Sequence, residues 1–220
     1  YNSMNTIEQS VKSVLSQTMP DFELLVVDDG SQDETFKIIS EIAKKDSRIK
    51  ILKNDRNLGV AKARNMALEI ATGKYVAFLD SDDYWEKEKL EKQVELLEGK
   101  AGDICYTSYR FVNSEGMPVK RLPYIVPEKT DYKNMLRENV IGLSTALVRR
   151  DALKGREFDG RWFHEDYVLW LDLLRDGKTA WGLQEVLVTY RTGGRSSDKL
   201  NVAINRWRIY RYHERLPVVL

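Results

Sequence analysis

Residues 75–85 read YVAFLDSDDYW, in which an apolar run typical of a buried β-strand leads directly into three carboxylates. Like charges this close repel one another, so a positively charged ligand is expected among Asp80, Asp82 and Asp83. Asp80 and Asp82 are two residues apart, and alternate side chains of an extended backbone point the same way. Oxygen ligands of this kind suit Mg²⁺ or Mn²⁺, which keep substrate phosphates in their remaining positions. The alternative for an isolated D-x-D pattern is an ordinary surface turn.

The region around this strand alternates helical and extended patterns with short links, which is typical of a parallel sheet covered by helices. The predicted helix–strand units are NTIEQSVKSVLSQT with FELLVV (5–27), SQDETFKIISEIAKK with RIKIL (31–52) and GVAKARNMALEIATG with KYVAFL (59–79). The strands are nearly all apolar, as expected when both faces of a sheet are covered. Residues 1–100 are therefore predicted to form a doubly wound α/β half.

The sequence after residue 100 has longer and less regular strand patterns. The predicted elements are the strands DICYTSYRFV (103–112), LSTALVRR (143–150) and VLVTYR (186–191), the helix HEDYVLWLDLLRDG (164–177) and a Pro-containing loop at 117–130. No flexible linker precedes them, so residues 101–220 are predicted to complete one continuous domain.

Composition excludes several classes of protein. The formal net charge of +1 gives no reason to expect nucleic acid as a partner. The single cysteine, Cys105, rules out an internal disulfide and is expected to be a buried thiol in a reducing compartment, the cytoplasm. No signal peptide is expected at the start of the chain, and no apolar run in the printed sequence is long enough to span a bilayer. It begins at Tyr1 without a methionine, so an N-terminal strand is expected to be missing.

A second acidic cluster, Asp28 and Asp29, ends another predicted strand. Ligands collect beyond the carboxyl ends of parallel strands, so this pair and the cluster at 80–83 are expected to share one site. Asp29 is followed by Gly30 and Ser31, which form a turn leading into a helix and could hold a polar ligand such as a nucleobase. The alternative is a helix cap, which is the favoured interpretation for Asp33.

Five motifs in order, YN (1–2), VVDDGSQDET (26–35), NLGVAKARNMAL (57–68), YVAFLDSDD (75–83) and HED (164–166), resemble those of glycosyltransferase family 2. The resemblance covers nearly all of the chain. It implies an inverting enzyme of α/β GT-A fold, with a Rossmann-like, mostly parallel central sheet flanked by helices, a smaller acceptor-side sheet and a C-terminal helix. Residues 1–100 would bind the nucleotide-sugar and residues 101–220 the acceptor.

The implied reaction transfers a sugar from a nucleotide-sugar, expected to be a UDP-sugar, to a hydroxyl of a saccharide or lipid-linked acceptor. Such transfer serves the synthesis of cell-surface polysaccharides and glycans, with Mn²⁺ or Mg²⁺ as cofactor. Tyr1 resembles the end of the family's first, nucleotide-binding strand. Asp29, with Asp28 beside it, matches the residue that recognises uracil, and Arg64 lies near a position that helps to hold the nucleotide.

The resemblance also implies the metal ligands and the catalytic base. Asp80 would approach the ribose or sugar, and Asp82 would bind the divalent ion, with Asp83 as a further candidate ligand. Asp166 matches the acid that supplies the base, and Glu165 is the second candidate.

The predicted base lies at the first turn of a helix anchored by a buried stripe of Val168, Leu169 and Leu173. The helix dipole is expected to keep Asp166 ionised at neutral pH. The alternative is that the acidic pair is an ordinary set of first-turn acids. His164 is expected to be a hydrogen-bonding loop residue.

Two departures from the family pattern are informative. EDYVLWLDLL stands where a processive polymerase carries Q-x-x-R-W, which argues against a cellulose or hyaluronan synthase. RTGGRSS (191–197) lacks the histidine that many relatives carry there. Two alternatives to a glycosyltransferase remain. One is a HAD-type phosphatase, which is disfavoured because Asp83-Tyr84-Trp85 follows the D-x-D of this chain. The other is an inert nucleotide-sugar-binding protein.

The C-terminal segment LNVAINRWRIYRYHERL (200–216) has an apolar helical face formed by Leu200, Ala203, Ile204, Trp207 and Tyr210. Residues 191–215 contain seven Lys or Arg against two Asp or Glu. The favoured expectation is a helix docked on the catalytic domain. The alternative is a surface that meets anionic lipid or a lipid-linked acceptor, with peripheral association at the inner face of the membrane. The sequence gives no indication of the oligomeric state.

Overall fold

The computed structural model describes residues 1–193 and 198–217. The α-helices are α1 (Ile7–Leu15), α2 (Thr35–Ala43), α3 (Val60–Ile70), α4 (Lys89–Lys100), α5 (Tyr132–Arg137), α6 (Glu165–Arg175) and α7 (Lys199–Arg208). The strands are β1 (Leu24–Asp28), β2 (Ile49–Lys53), β3 (Tyr75–Ala77), β4 (Tyr84–Trp85), β5 (Ile104–Val112), β6 (Lys129–Thr130), β7 (Leu147–Arg149) and β8 (Ala180–Arg191). Short 3-10 turns occupy Leu143–Thr145 and Arg150–Leu153, and a π-helical turn, Ile209–His213, continues α7. Among these residues, no helix combines the length and apolar character that crossing a bilayer requires.

The strands form a parallel pair, β1 with β2, and a larger sheet in the order β3-β7-β5-β8-β4, with β6 paired to β8. The α/β class is as predicted, but the larger sheet is mixed, because only β5 and β8 run parallel in it. The alternation of helix and strand that predicted parallel pairing ends at β3. Beyond it, β7 inserts antiparallel between β3 and β5, a pairing that needs no helical crossover.

The predicted strand at 143–150 is wrong over its first half. Leu143–Thr145 form a 3-10 turn, and only Leu147–Arg149 pair in the sheet. The turn brings the buried Ser144 hydroxyl to the acidic loop after β3, where it forms two hydrogen bonds. A polar contact of one side chain therefore overrides the strand pattern.

The core crosses the boundary at residue 100. One apolar cluster joins Trp85 and Leu97 to Cys105, Leu147 and Val188, so elements from both parts of the chain share it. The burial predicted for Cys105 is confirmed.

Most side chains of helix α6 are buried in a second apolar cluster. The stripe predicted at Val168, Leu169 and Leu173 is confirmed, and Trp170 between them is also fully buried. This packing fixes the helix whose first turn carries the predicted base.

Helix α7 is docked on the protein, as the sequence favoured, but Leu200, Ala203, Ile204 and Trp207 of its apolar face are exposed. Arg206 donates hydrogen bonds to the carbonyls of Leu136 (3.2 Å) and Arg137 (2.8 Å). Ile209, the first residue after α7, is buried. Tyr210, expected on the apolar face, also points inward and donates its hydroxyl to Leu136 O. Polar contacts with the backbone carbonyls of Leu136 and Arg137 set this rotation of the helix.

Candidate active site

The acidic loop after β3 is tied to the sheet by Ser144 and Arg191. Ser144 Oγ accepts the Asp80 N–H at 3.1 Å and donates to Asp83 Oδ2 at 2.6 Å. Asp83 Oδ1 accepts the Arg191 N–H at 3.0 Å. Burial, together with Asp80 and Asp82, raises the pKa of Asp83 well above its usual value. Both oxygens of Asp83 are thus engaged by protein donors, which is the pattern of a residue that holds a loop.

Asp82 has different surroundings. Its carboxylate is half-buried and forms no ion pair with any residue in 1–193 or 198–217. Burial and the neighbouring Asp80 raise the pKa of Asp82, with Arg191 opposing them. A carboxylate destabilised by a like charge is one that a cation would stabilise.

Arg64 connects the acidic loop to the first turn of α6. Its Nη2 donates to Asp80 Oδ1 at 2.7 Å, and its Nη1 donates to Glu165 Oε1. Its guanidinium lies 5.4 Å from the centre of the Phe158 ring. Burial lowers the pKa of Arg64, but Asp80, Glu165 and Asp166 together raise it above its ordinary value. One half-buried cation therefore bridges Asp80 of the acidic loop and Glu165, the second candidate for the base.

Asp166 follows Glu165 in the first turn of α6. Burial and the adjacent Glu165 raise the pKa of Asp166 to about 6, although Arg64 acts in the opposite direction. The helix dipole alone would lower this pKa, so the upward shift shows the effect of desolvation of the carboxylate. A pKa of about 6 still leaves Asp166 about nine-tenths ionised at pH 7.

The loop that leads into α6 is fixed to α3 by Asn65. The Asn65 side chain accepts the Phe158 N–H at 2.8 Å and donates to the Phe158 carbonyl at 2.9 Å. Since Arg64 precedes Asn65 on the same helix, α3 positions both the bridging cation and the approach to the predicted base.

Asp28 and Asp29 lie at the end of β1 and are both buried. Asp29 accepts three hydrogen bonds, from Asn54 Nδ2 at 2.7 Å and from the N–H groups of Leu58 and Gly59 at 2.9 Å each. Neither oxygen of the Asp28 carboxylate accepts a hydrogen bond from the described residues. Asp29 therefore shapes the loop at 54–59, and Asp28 is the carboxylate of this pair that lacks a donor.

Gly30 makes the close approach of this loop possible. Its φ is 74°, in the region that favours glycine, and a Cβ built on it would lie 2.5 Å from the carbonyl carbon of Arg56. A side chain at this position would push the loop at 54–59 away from Asp29.

The first residues of the chain bridge the two acidic loops. The Asn2 N–H donates to Ser31 Oγ at 2.9 Å, and the Ser3 and Ser81 hydroxyls are 2.7 Å apart. Tyr1 is exposed beside them. The loops at 28–31 and 80–83 are therefore joined through residues 1–3, and a ligand site shared by the two loops stays a prediction.

The sequence profile of "Glycosyl transferase family 2" matches residues 1–156. The chain belongs to this family. The predicted family is confirmed, and the chain is a glycosyltransferase, which excludes the HAD-type phosphatase.

Among the similar proteins is the putative teichuronic acid biosynthesis glycosyltransferase TuaG of Bacillus subtilis, 39% identical over 98% of this chain and 86% of its own length. Another is the UDP-Glc:alpha-D-GlcNAc-diphosphoundecaprenol beta-1,3-glucosyltransferase WfgD of Escherichia coli, 40% identical over 80% of this chain and 67% of its own length.

Two solved structures confirm the GT-A fold class. TarS 1–349 of S. aureus, in complex with UDP-GlcNAc, has a TM-score of 0.74 and 26% identity over 90% of this chain. The mannosyltransferase PcManGT of Pyrobaculum calidifontis, in complex with GDP-Man and Mn²⁺, has a TM-score of 0.75 over 99% of this chain. At 21% identity, the likeness to PcManGT concerns the fold alone. This chain spans 58% of TarS 1–349 and 62% of PcManGT.

Within this family 2 domain, two residues that support the acidic loop were missed by sequence reasoning. Arg191 donates from Nε to the Asp82 carbonyl at 3.1 Å, and from Nη2 to Gln9 Oε1 at 2.9 Å. Its position as the last residue of a strand, where ligand sites of α/β sheets gather, was the available signal. Ser144 gave no signal, because it lay inside a segment predicted to be a strand. Residues 194–197, part of the segment that lacks the family histidine, lie outside the described residues.

Proposed function

We propose that this glycosyltransferase transfers a sugar from a UDP-sugar to a hydroxyl of a lipid-linked saccharide, with inversion, in the synthesis of a cell-surface polysaccharide. The observation that carries the proposal is the arrangement around Arg64. It places the acidic pair of α6 next to the D-x-D loop, so a donor and an acceptor could meet there. The names of TuaG and WfgD, and the UDP-GlcNAc bound by TarS, support the classes of donor and acceptor.

The residues of the acidic loop fit a divalent cation, Mn²⁺ or Mg²⁺. Asp82 lacks an ion pair among the described residues, and Asp80 is partly exposed with only its Oδ1 engaged by Arg64. Such hard oxygen ligands suit these ions. When bound, the ion would supply Lewis-acid stabilisation of the departing diphosphate. We assign Asp82 as the main ligand, with Asp80 beside it, and Asp83 as the residue that holds the loop.

The nucleotide would lie between the two acidic loops. Asp28 is buried, and its oxygens accept no hydrogen bond from the described residues, so it fits the N–H donor of a uracil ring. Asp29 would act beside it by holding the loop at 54–59 in place. Tyr1, exposed at the same edge, would contact the nucleotide, and Arg64 would face the diphosphate.

Asp166 would act as the base. The acceptor hydroxyl attacks the anomeric carbon, the bond from that carbon to the diphosphate breaks, and the hydroxyl proton passes to Asp166. Glu165 is held by Arg64, so it would orient that guanidinium and leave proton transfer to its neighbour. General-base catalysis of this type contributes roughly 10²–10⁴-fold.

The proposal is tested by UDP release from a panel of sugar nucleotides, with and without Mn²⁺ and a saccharide acceptor. Asp82→Ala should abolish Mn²⁺-dependent UDP binding in calorimetry without loss of the fold, because it removes one member of a repelling cluster. Asp151→Ala is the matched control, since Asp151 is an exposed aspartate that pairs with Lys154 on the same turn.

Unchanged UDP affinity in Asp82→Ala would contradict the metal assignment. UDP binding without transfer to any acceptor would instead favour the inert nucleotide-sugar-binding protein.

A further inference from the structure

Helix α7 presents an apolar face to the outside of the protein. Leu200, Ile204 and Trp207 are 72%, 50% and 53% exposed, and Ala203 beside them is exposed too. At about 100° per residue, these four side chains lie on one side of the helix. We call Leu200, Ala203, Ile204 and Trp207 the outer face of α7. A contiguous exposed apolar face is typical of an interaction site and is uncommon on the rest of a protein surface.

Positive charge borders the outer face. Lys199 and Arg208 are exposed and, by the same helical spacing, fall on its two sides. No acidic residue occurs between Lys199 and Arg208. The exposed Tyr212 follows on the π-helical turn. An apolar stripe with an aromatic residue and cationic flanks matches the boundary between acyl chains and anionic headgroups.

The turn that follows α7 is held on α5 and α6. His213 pairs with Asp172 at 2.9 Å, and Glu214 accepts hydrogen bonds from Arg175 at 2.9 Å and from the Tyr132 hydroxyl. Arg175 also donates to Asp172, so this cluster contains its own counter-charge. The outward rotation of α7 is therefore fixed by contacts at its C-terminal end as well as by Arg206.

We infer that the outer face of α7 is a docking surface for an anionic lipid bilayer. The inference deepens the proposed function, and it rests on that function for the lipid-linked acceptor. The acceptor in WfgD's name carries diphosphoundecaprenol, a lipid whose long hydrocarbon chain lies in a bilayer. Docking through α7 would keep the enzyme at the bilayer surface. The apolar side chains of the outer face insert among the acyl chains, and Lys199 and Arg208 attract the anionic headgroups.

The test is vesicle flotation at low salt without donor or acceptor, using the chain as printed. Vesicles of phosphatidylcholine are compared with vesicles that also contain phosphatidylglycerol. The double variant Ile204→Ser with Trp207→Ser should bind the anionic vesicles at least about tenfold more weakly than the unaltered chain. The matched control is Ile70→Ser with Leu122→Ser, which removes apolar side chains that are 41% and 87% exposed elsewhere and should bind normally.

Charge and insertion have separate readouts. Lys199→Glu with Arg208→Glu should lose binding to the anionic vesicles by a similar factor. Brominated lipids should quench the fluorescence of the unaltered chain more than that of Trp207→Phe, which keeps the other four of the five tryptophans.

Three results would overturn the inference: no binding of the unaltered chain to anionic vesicles, equal binding to neutral ones, or equal loss in the control pair. UDP release with a water-soluble acceptor separates this from failure of the proposed function. The outer-face variant should retain UDP release. If the proposed function is wrong, neither the unaltered chain nor any variant should release UDP, but vesicle binding should be intact.

Discussion

Glu165 and Asp166 are adjacent in sequence but have different partners. Arg64 forms an ion pair with Glu165, whereas Asp166 forms none among the described residues. Burial and Glu165 raise the pKa of Asp166 to about 6. A base works best when its pKa lies near the working pH, so the environment of Asp166 suits proton transfer better than that of a fully exposed aspartate.

Replacing Asp166, the proposed base, should separate binding from chemistry. Asp166→Asn preserves the shape of the side chain but cannot accept the hydroxyl proton, so kcat should fall by on the order of 10²-fold or more. Calorimetry should show unchanged affinity for UDP and Mn²⁺. Glu165→Gln is the companion variant, and it should weaken donor binding because it removes the charge of one of the two carboxylates that hold Arg64. Near-normal transfer by Asp166→Asn with an inactive Glu165→Gln would assign the base to Glu165.

The same carboxyl predicts a pH profile. Because the pKa of Asp166 is raised to about 6, the base becomes protonated as the pH falls through that value. At saturating Mn²⁺, kcat/KM, which reports the free enzyme, should be level above about pH 7 and should fall about tenfold per unit below pH 6. The residual activity of Asp166→Asn should lack this acid limb, and a limb that persists in the variant would point to another group.

At the scale of elements, α4 carries an unusual core residue. Lys89 is fully buried, with its Nζ 2.7 Å from Gln93 Oε1 and 3.9 Å from the centre of the Trp85 ring. Burial lowers the pKa of Lys89 to about 7. The helix therefore holds a lysine that is ready to lose its proton near neutral pH.

The lowered pKa of Lys89 predicts how stability varies with pH. Above pH 7 the unfolded chain keeps the Lys89 proton and the folded chain releases it, so the free energy of unfolding should rise with pH. The contribution of Lys89 is about 1.4 kcal/mol per unit between pH 7 and 8.5, before Cys105 ionises in the unfolded chain. Below pH 7 both states hold the proton and this contribution is constant. Denaturant melts of Lys89→Met should lack the slope, and an equal slope in the variant would contradict the assignment.

The elements differ in how far sequence alone predicts them. The helix–strand units up to β3 follow from local apolar periodicity, so their positions were predicted within a few residues. The 3-10 turn at Leu143–Thr145 and the rotation of α7 depend on Ser144 and Arg206, whose partners lie far away along the chain. Local patterns carry no information about such partners.

At the scale of the whole molecule, the candidate site is assembled from distant segments. Arg64 and Glu165 are 101 residues apart, and Arg191 and Asp83 are 108 apart. The acidic motifs themselves were visible in the sequence, and the family resemblance attached roles to them. The supporting contacts of Asp29 and Asp83 were not visible, because they depend on the packing of loops that only the fold brings together.

The apolar core predicts that the two halves unfold together. Trp85 and Leu97 share one cluster with Cys105, Leu147 and Val188, so residues 1–100 would expose apolar surface if separated. Near- and far-ultraviolet circular dichroism should report one transition with the same midpoint, and a fragment of residues 1–100 should lack cooperative unfolding. Two resolved transitions would show that the halves are independent domains.

The bridge made by Arg64 has a consequence for the order of events. Among the described residues, Asp80, Glu165 and Asp166 act on Arg64, Asp82 and Asp83 follow Asp80 in the same loop, and Arg191 is a second guanidinium that contacts this loop. An excess of negative charge attracts small cations and slows the approach of a free nucleotide, whose diphosphate is itself negative. Under the proposed function, the donor therefore arrives after the metal ion or together with it. Under that function the diphosphate would compete with Asp80 for Arg64, so binding of the donor would exchange one ion-pair partner of this side chain for another.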